Sequence, residues 1–180
     1  MTVADVDLSG EVVVVTGGTR GIGRAISEAF AAAGADVVPA SRTREDVEDA
    51  VEVVREAGGD SVAVPTDVTD ETAVDALFRT VEAELGSVDV VVNNAGINPV
   101  DGMGGPEDVD LDVFDRTVDV NLRGAFLCAR RGAAALASDG GGSVVNVASV
   151  AGVVGIPRQH PYVASKHGLV DLTKSMALDW

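Results

Sequence analysis

Cysteine, lysine and aromatic residues are scarce in this sequence of 180 residues. The one cysteine, Cys128, excludes an internal disulfide, and its apolar neighbours favour a buried thiol over a nucleophile. No apolar run is long enough to cross a bilayer, and no basic segment followed by an apolar run opens the chain. We therefore expect a single domain, residues 1–180, in a cytoplasmic protein with no membrane partner.

Positive charge is also scarce. The chain has 29 acidic and 13 basic residues, a net charge of −16, and its only lysines are Lys166 and Lys174. This balance argues against nucleic acid and anionic membranes as partners, because both attract positive charge. An acid-rich, lysine-poor composition resembles that of salt-adapted proteins and predicts a halophilic, archaeal source. An ordinary acidic cytosolic protein is the alternative.

Valine and alanine dominate a hydrophobic content of 46%, which suits a buried parallel sheet covered by helices. Strands and helices are predicted to alternate along the chain, which gives an α/β fold with an open parallel sheet. The predicted strands are Glu11–Thr16, Asp36–Ser41, Ser61–Thr66, Val88–Val92 and Ser143–Ala148. The predicted buried helix faces are Ile22, Ile26, Ala29, Phe30 and Ala33; Val47, Ala50, Val51 and Val54; Val74, Leu77, Phe78, Val81 and Leu85; and Phe114, Val118, Leu122 and Phe126.

A glycine-rich turn, Thr16–Gly23, joins the first predicted strand to the first helix. Glycines let a backbone approach a pyrophosphate, and a helix N-terminus supplies N–H donors and positive potential. The spacing is Gly-x-x-x-Gly-x-Gly rather than the commoner Gly-x-Gly-x-x-Gly. The sequence therefore predicts a dinucleotide cradle; a tight turn without a ligand is the alternative.

The end of the second predicted strand bears on the choice of cofactor. NAD binders usually place a carboxylate there for the ribose 2′-hydroxyl, whereas an arginine suits the 2′-phosphate of NADP. This chain has Ser41 and Arg42 instead of an acid, with Arg20 in the glycine turn as a second cation. NADP(H) is therefore favoured over NAD(H). The alternative is that Arg42 is a solvated side chain before a helix whose Thr43-x-x-Asp46 resembles a capping box.

Polar residues follow the later strands. Asp67 and Val68 follow the third, where a carboxylate suits an adenine amino group, although Asp67 or Asp70 would equally cap the next helix. Asn93–Gly96 follows the fourth. Its asparagines are either plain turn residues or join neighbouring strands while Ala95 and Gly96 leave room for a cofactor. Asn121 lies within a predicted helix, where asparagine is unfavourable, so a bound water or a local helix break is expected.

Tyr162 and Lys166 lie four residues apart, directly after Pro161. Proline suits the first turn of a helix, and the apolar residues beyond it recur at helical spacing. Residues four apart share a helix face, and an ammonium beside a phenol favours the phenolate. The pair predicts a tyrosine acid or base, although a surface pair on an ordinary helix is the simpler interpretation.

Together these motifs resemble the short-chain dehydrogenase/reductase family, of the simpler rather than the extended type, and especially its 3-oxoacyl-carrier-protein reductase-like and sugar or polyol dehydrogenase-like members. The motifs that carry the resemblance are Thr16-Gly17-x-x-x-Gly21-Ile22-Gly23, Asp67, Asn93-Asn94-Ala95-Gly96, Asn121, Ser149 and Tyr162-x-x-x-Lys166. The resemblance implies a Rossmann-type doubly wound parallel sheet of strand order 3-2-1-4-5, a nicotinamide cofactor, a small-molecule carbonyl or alcohol substrate, and a homo-oligomer, either tetramer or dimer.

The resemblance also implies residue roles. Tyr162 exchanges a proton with the carbonyl or alcohol, Lys166 supports it and bonds the nicotinamide ribose, Ser149 polarises the carbonyl, and Asn121 holds a water. No role is implied for His160, expected in a loop, or for His167, expected on a helix surface, and no metal site is predicted. The implied cofactor-binding residues are Gly17, Thr19, Arg20, Gly21, Ile22, Gly23, Ser41, Arg42, Asp67, Val68, Asn93, Ala95, Gly96, Tyr162 and Lys166.

One departure from the family pattern concerns length. Members continue beyond the tyrosine-bearing helix with further strands and a substrate-covering segment, whereas this sequence stops at Trp180. The expected domain is therefore incomplete at its C-terminal end. An NADP(H)-dependent reductase or dehydrogenase is the first hypothesis, and a non-catalytic cofactor-binding or interaction module is the alternative. An extended-type epimerase is disfavoured by the glycine spacing.

Overall fold

The computed structural model describes residues 6–138 and 141–180. Its strands are β1 (Val12–Thr16), β2 (Asp36–Ala40), β3 (Val90–Asn93) and β4 (Ser143–Asn146). Its helices are α1 (Gly21–Ala32), α2 (Arg44–Ala57), α3 (Glu71–Glu84), α4 (Leu111–Val118), α5 (Ala125–Ser138) and α6 (His160–Asp179). A π-helical segment, Asp119–Gly124, joins α4 to α5, and short 3₁₀ turns lie at Val100–Gly102, Pro106–Asp108 and Val150–Gly152.

The four strands form a parallel sheet in the order β2-β1-β3-β4. In the register, Val14 lies beside Val38 on one side and Val91 on the other, and Val91 lies beside Val144. The Rossmann-type α/β fold is therefore confirmed, and the four strands lie in the predicted relative order. Among the described residues, no helix is long and apolar enough to cross a membrane.

The predicted strand Ser61–Thr66 is wrong, because this segment forms no ladder with β2. It is attached to β2 mainly at its ends, where Val37 N–H donates to the Asp60 carbonyl at 3.0 Å and Thr66 N–H donates to the Ser41 carbonyl at 2.7 Å. Alternate residues of a strand direct their backbone groups to the same side. Pro39, two residues after Val37, has no N–H to donate on that side.

The core lies on both faces of the sheet. One face packs Val13, Val15 and Val37 against apolar residues of α1 and α2. The other packs Val14 and Val91 against α3 and α5, including the fully buried Phe78. Alternation of valines along β1 thus supplies both layers, because successive side chains of a strand point to opposite faces.

Two predicted helix faces are confirmed and two are correct only in part, since Ile26 and Phe30 of α1 do pack against the core. Val47, Ala50, Val51 and Val54 of α2 are buried, as are Val74, Leu77, Phe78 and Val81 of α3. In α1, however, Ile22 is 69% exposed, and the buried residues are Gly23, Ser27 and Ala31. In the α4–α5 region Phe126 is 39% exposed, while Val113, Thr117 and Asn121 are buried. Small residues face the sheet in α1 because the glycine turn brings the two backbones close.

Helix ends follow the sequence signals in part. Asp70 caps α3, its carboxylate accepting from the N–H groups of Thr72 and Ala73, as one alternative predicted. Gly58 ends α2 in the left-handed conformation with φ of 109°, which glycine adopts without strain. Thr43 is the N-cap of α2 but makes no side-chain capping bond, so the predicted capping box is not formed.

Candidate functional site

A cleft of about 950 Å³ opens at the carboxyl ends of the strands, where ligands of open α/β sheets bind. It gathers most of the residues that the sequence predicted for a cofactor. Those that line it are Gly17, Thr19, Arg20, Gly21, Ile22, Gly23, Ser41, Arg42, Asp67, Val68, Ala95, Gly96, Tyr162 and Lys166. Asn93, Asn121 and Ser149 do not line it.

The glycine turn forms one end of this cleft. Gly17 and Gly21 have φ of 63° and 54°, in the left-handed region that favours glycine. Gly23 is in contact with the turn itself, because a Cβ on Gly23 would lie 2.0 Å from the Gly17 carbonyl oxygen. Arg20, the N-cap of α1, is extended and makes no side-chain capping bond. The first-turn N–H groups of α1 are thus available to an anion.

Thr16 and Asn94 hold the turn in place. The Thr16 hydroxyl oxygen accepts from the N–H groups of Asn94 and Ala95, each at 3.1 Å. The Asn94 side-chain amide donates to the carbonyls of Thr16 and Gly17, each at 3.0 Å. Four hydrogen bonds therefore join the end of β1 to the segment after β3. Asn94, which the family roles did not include, also lines the cleft.

Asn93 lies beneath the cleft and is 3% exposed. Its Nδ2 donates to the Asn146 Oδ1 at 2.9 Å and to the Ala125 carbonyl at 3.1 Å. It thereby joins β3 to β4 and to α5, which is the strand-joining role predicted for this segment. Its own Oδ1 is buried without a hydrogen-bond partner among the described residues.

Two arginines, Arg20 and Arg42, line one edge of the cleft. In the described part of the chain, neither guanidinium forms a salt bridge. Neighbouring Arg44, by contrast, pairs with Glu48 at 3.5 Å. Ser41, Thr43 and Asp46 line the same edge. Two guanidinium groups without a salt bridge among the described residues therefore flank the predicted ribose end.

Asp67 presents a charged carboxylate to the next part of the cleft. Its Oδ1 accepts from the N–H and the hydroxyl of Thr69, at 2.9 and 2.8 Å. Burial alone would raise the pKa of Asp67, but these hydrogen bonds and the Arg42 charge outweigh it, so the pKa lies below the ordinary value of 3.8. The carboxylate is therefore an acceptor at neutral pH, suited to an amino group.

Tyr162 and Lys166 lie together on α6, as their spacing predicts. The Lys166 Nζ is 5.8 Å from the centroid of the Tyr162 ring and donates to the Val147 carbonyl at 2.8 Å. Lys166 is 4% exposed, and burial lowers its pKa below the ordinary 10.5. The carbonyl after β4 thus holds the ammonium against the base of the cleft, beside the phenol.

Ser149 and Asn121 lie outside the cleft lining. The Ser149 hydroxyl accepts from the Ala151 N–H at 3.1 Å and caps the 3₁₀ turn Val150–Gly152, while Val147 and Ala148 line the cleft just before it. Asn121 is 1% exposed and lies in the π-helical segment. The local helix break expected at this asparagine is therefore present.

Several residues that line the cleft were given no cofactor-binding role from the sequence, and His160 is placed differently than expected. The additional lining residues are Thr43, Asp46, Thr66, Asn94, Ile97, Asn98, Pro99, Arg116, Val120, Val147 and Ala148. Most of these residues directly follow a strand or lie next to a predicted site residue, and this position in the sequence could have indicated them. His160 begins α6 rather than lying in a loop, and its loop assignment is wrong. His160 and the half-buried His167 line a separate apolar depression of about 580 Å³.

Comparisons with known proteins agree with this geometry. A family model described as short chain dehydrogenase matches residues 11–180. The chain is 41% identical over 170 residues to a 3beta-hydroxysteroid dehydrogenase from Mediterraneibacter gnavus, covering 94% of this chain and 60% of that protein. It is 38% identical over 165 residues to a 3-oxoacyl-[acyl-carrier-protein] reductase from Staphylococcus aureus, covering 91% and 66%.

Solved structures give the same result. A short-chain type dehydrogenase/reductase from Mycobacterium marinum superimposes with a TM-score of 0.91 at 36% identity, covering 99% of this chain and 73% of that one. An NAD⁺-bound xylitol dehydrogenase gives a TM-score of 0.91 at 33% identity, covering 95% and 65%. The chain spans 60% and 66% of the length of the two curated relatives named above. On this evidence the chain belongs to the short-chain dehydrogenase/reductase family of oxidoreductases.

Proposed function

We propose that this protein is an NADP(H)-dependent oxidoreductase that interconverts a carbonyl compound and a secondary alcohol, with Tyr162 as the general acid and base. The observation that carries the proposal is the placement of the Tyr162 phenol and the Lys166 ammonium in the same cleft as a glycine turn at a helix N-terminus. The pair of Tyr162 and Lys166 would transfer a proton, and the glycine turn would bind a phosphate.

The residues present fit a nicotinamide dinucleotide. Gly23 and Gly17 leave no room for side chains, since Cβ atoms there would meet neighbouring atoms at 2.0 and 3.0 Å, and this keeps the backbone close to a bound pyrophosphate. Asp67 would accept from the adenine, and Lys166 would donate to the nicotinamide ribose. When bound, the dinucleotide supplies or accepts the hydride, and the protein orients the reactants.

The chain's own contribution is proton transfer and orientation. Tyr162 would donate its phenolic proton to the carbonyl oxygen during reduction and take it back during oxidation. The buried Lys166, held by the Val147 carbonyl, stabilises the phenolate that results. Ser149 would polarise the carbonyl once its hydroxyl turns toward the cleft, and Asn121 would hold a water on the proton path.

The preference for NADP(H) rests on Arg20 and Arg42. A guanidinium that already has a carboxylate partner gains less from a phosphate, and neither of these has a salt-bridge partner in the described part of the chain. The NAD⁺-bound xylitol dehydrogenase shows that a similar fold can hold the other cofactor, so the arginines carry this part of the proposal.

The cofactor test is a fluorescence titration of the purified protein with NADPH and with NADH. Arg42→Ala should weaken NADPH binding about 10- to 100-fold, the loss of one charge-assisted hydrogen bond of about 1.5–3 kcal/mol, and leave NADH binding within about twofold. Arg44→Ala is the matched control, because Arg44 is exposed and paired to Glu48 outside the cleft. Equal losses for both cofactors would refute the 2′-phosphate assignment.

The catalytic test compares Tyr162→Phe and Lys166→Met with Lys174→Met. Lys174 is the other lysine of α6, exposed and paired to Asp171 at 2.7 Å, so its loss should leave turnover unchanged. Tyr162→Phe should bind the dinucleotide normally and lose turnover of a carbonyl panel by at least 10³-fold. Unchanged turnover would refute the role of Tyr162. Cofactor binding without turnover in the unsubstituted protein would favour the non-catalytic alternative.

Three broader expectations remain proposals. We infer a small carbonyl or alcohol as substrate, because the cleft leaves Tyr162 accessible beside Asn98 and Pro99. Assembly as a homo-oligomer and adaptation to high salt stay predictions, the first to be measured by light scattering and the second by thermal denaturation.

A further inference from the structure

We propose that Ser165 is a positioning residue that ties the helix carrying Tyr162 to Asn121 and to the cleft wall at Ile97. The inference rests on the proposed function and adds a residue to it. Ser165 lies on α6 between Tyr162 and Lys166 and is 0% exposed. Its hydroxyl donates to the Tyr162 carbonyl at 2.8 Å and accepts from the Asn121 Nδ2 at 3.1 Å.

Asn121 completes a connection from this hydroxyl to the cleft. Its Oδ1 accepts from the Ile97 N–H at 2.7 Å, and its Nδ2 donates to the Ile97 carbonyl at 2.9 Å. Both Nδ2 hydrogens are therefore used, one by Ile97 and one by Ser165. Ile97 lines the cleft, whereas Asn121 does not. The continuous path Ile97–Asn121–Ser165–Tyr162 fixes a cleft wall relative to the start of α6.

A hydroxyl that bonds a carbonyl in the preceding turn of its own helix is ordinary. Thr117 bonds the Val113 carbonyl and Thr173 bonds the Leu169 carbonyl, each at 2.7 Å. Ser165 also makes a second bond, to an amide on another element 44 residues away in sequence, as Thr173 does to Asn146. The amide at Ser165, however, is bonded onward to the cleft wall at Ile97. Because the Ser165 hydroxyl donates its proton to the Tyr162 carbonyl, its oxygen can only accept on the side of Asn121, and the Asn121 NH₂ group is the donor there.

The surroundings make this bond hard to replace. A Cβ on Gly96 would lie 3.3 Å from the Asn121 Oδ1 and 3.7 Å from the Lys166 Nζ, so the amide, the glycine and the ammonium are closely packed. Without the serine hydroxyl, one Nδ2 hydrogen of Asn121, which is 1% exposed, loses its protein acceptor, and this is costly for a buried donor. Asn121 would then shift, and Ile97 with it.

The glycine turn lies apart from this path, since none of the four bonds involves Gly17–Gly23. Loss of the serine hydroxyl should therefore lower turnover and leave cofactor affinity unchanged. A general weakening of the fold would reduce both and would not distinguish between Ser165 and other buried hydroxyls.

The test is a double-mutant cycle in the purified protein, with kcat, the NADPH dissociation constant and the melting temperature measured for each variant. Ser165→Ala should lower kcat about tenfold, as expected for one lost buried hydrogen bond, with the dissociation constant within twofold. In an Asn121→Ala background the same substitution should change kcat by less than twofold, because its partner is already absent.

Thr173→Ala is the matched control. Thr173 lies on the same helix and likewise donates to a helix carbonyl and accepts from an asparagine, Asn146, at 2.9 Å. This variant should lose stability without losing kcat. An equal fall of kcat for Ser165→Ala in both backgrounds, or no fall in either, would overturn the inference. Tyr162→Phe distinguishes failure of the Ser165 inference from failure of the proposed function, because full activity of Tyr162→Phe would overturn the proposed function.

Discussion

Gly23→Ala offers a sensitive test of how the glycine turn is built. The new Cβ would lie 2.0 Å from the Gly17 carbonyl oxygen and 2.4 Å from the Asn94 Nδ2. Real Cβ atoms essentially never come closer than 3.0 Å to such atoms, so the turn and α1 must separate by at least 1.0 Å. The Asn94 Nδ2 must also move to restore a normal contact with this Cβ. Because it donates to the Thr16 and Gly17 carbonyls, its displacement should break these two bonds.

The expected cost follows from these contacts. Overpacking costs about 1–3 kcal/mol, and two lost hydrogen bonds cost about 1 kcal/mol each. Alanine in place of a helical glycine returns about 1 kcal/mol through its higher helix propensity. The net loss of unfolding free energy is therefore about 2–4 kcal/mol, which lowers the melting temperature of a domain of this size by roughly 5–15 °C.

Thermal denaturation and cofactor titration together check this prediction. Gly155→Ala is the control, because no atom lies within 4 Å of its Cβ position and its backbone is not in the left-handed region. It should melt within about 2 °C of the unsubstituted protein. If Gly23→Ala were as stable as the control, or more stable through its helix propensity, the close approach of α1 to the glycine turn would be refuted.

Three further predictions concern the Cys128 thiol, the Asp67 carboxylate and the net charge of the protein. Burial raises the pKa of Cys128 to about 12, so iodoacetamide at pH 8 should alkylate it only after urea denaturation; labelling of the folded protein would contradict its burial. The pKa of Asp67 is lowered in the folded state, so its stabilising contribution is present above the unfolded value near 3.9 and is lost as pH falls through the folded value. The unsubstituted protein should therefore have a higher free energy of unfolding than Asp67→Asn in urea titrations near neutral pH, and this difference should narrow below about pH 4. A difference that stays constant with pH would refute the lowered pKa. The net charge of −16 predicts a higher melting temperature in 2 M than in 0.1 M KCl, because salt screens repulsion, and a fall would contradict salt adaptation.

The site was more predictable than the helix packing, for a physical reason. Residues such as Gly17, Asp67 and Tyr162 follow strand ends or share a helix face, and in a parallel sheet these positions converge at one edge. Local spacing is then enough to place them in one cleft. The role of each residue stays a prediction, because proximity does not establish chemistry.

Hydrophobic spacing failed where close backbone contact decides the packing. In α1 the larger apolar residues suggested the buried face, and Ile26 and Phe30 do pack against the core, but Ile22 is 69% exposed. The fully buried positions are the small residues Gly23, Ser27 and Ala31. The four-residue spacing of these small residues was a usable signal. In α4–α5 the π-helical segment adds a residue to one turn, which rotates Phe126 away from the face that a regular helix would bury.

The two sides of the cleft differ in how well they are hydrogen-bonded to the sheet, because Pro39 has no N–H to donate to the neighbouring segment. The glycine turn is bonded to Asn94 and Ala95 by four hydrogen bonds, whereas residues 61–66, which lead to Asp67, are attached to β2 chiefly at their ends. Backbone amides in that segment should exchange with deuterium sooner than those of β1, through local opening that leaves the sheet intact. A ligand that engages Asp67 would slow this exchange more than that of β1, so binding should order the end of the cleft that we propose for the adenine.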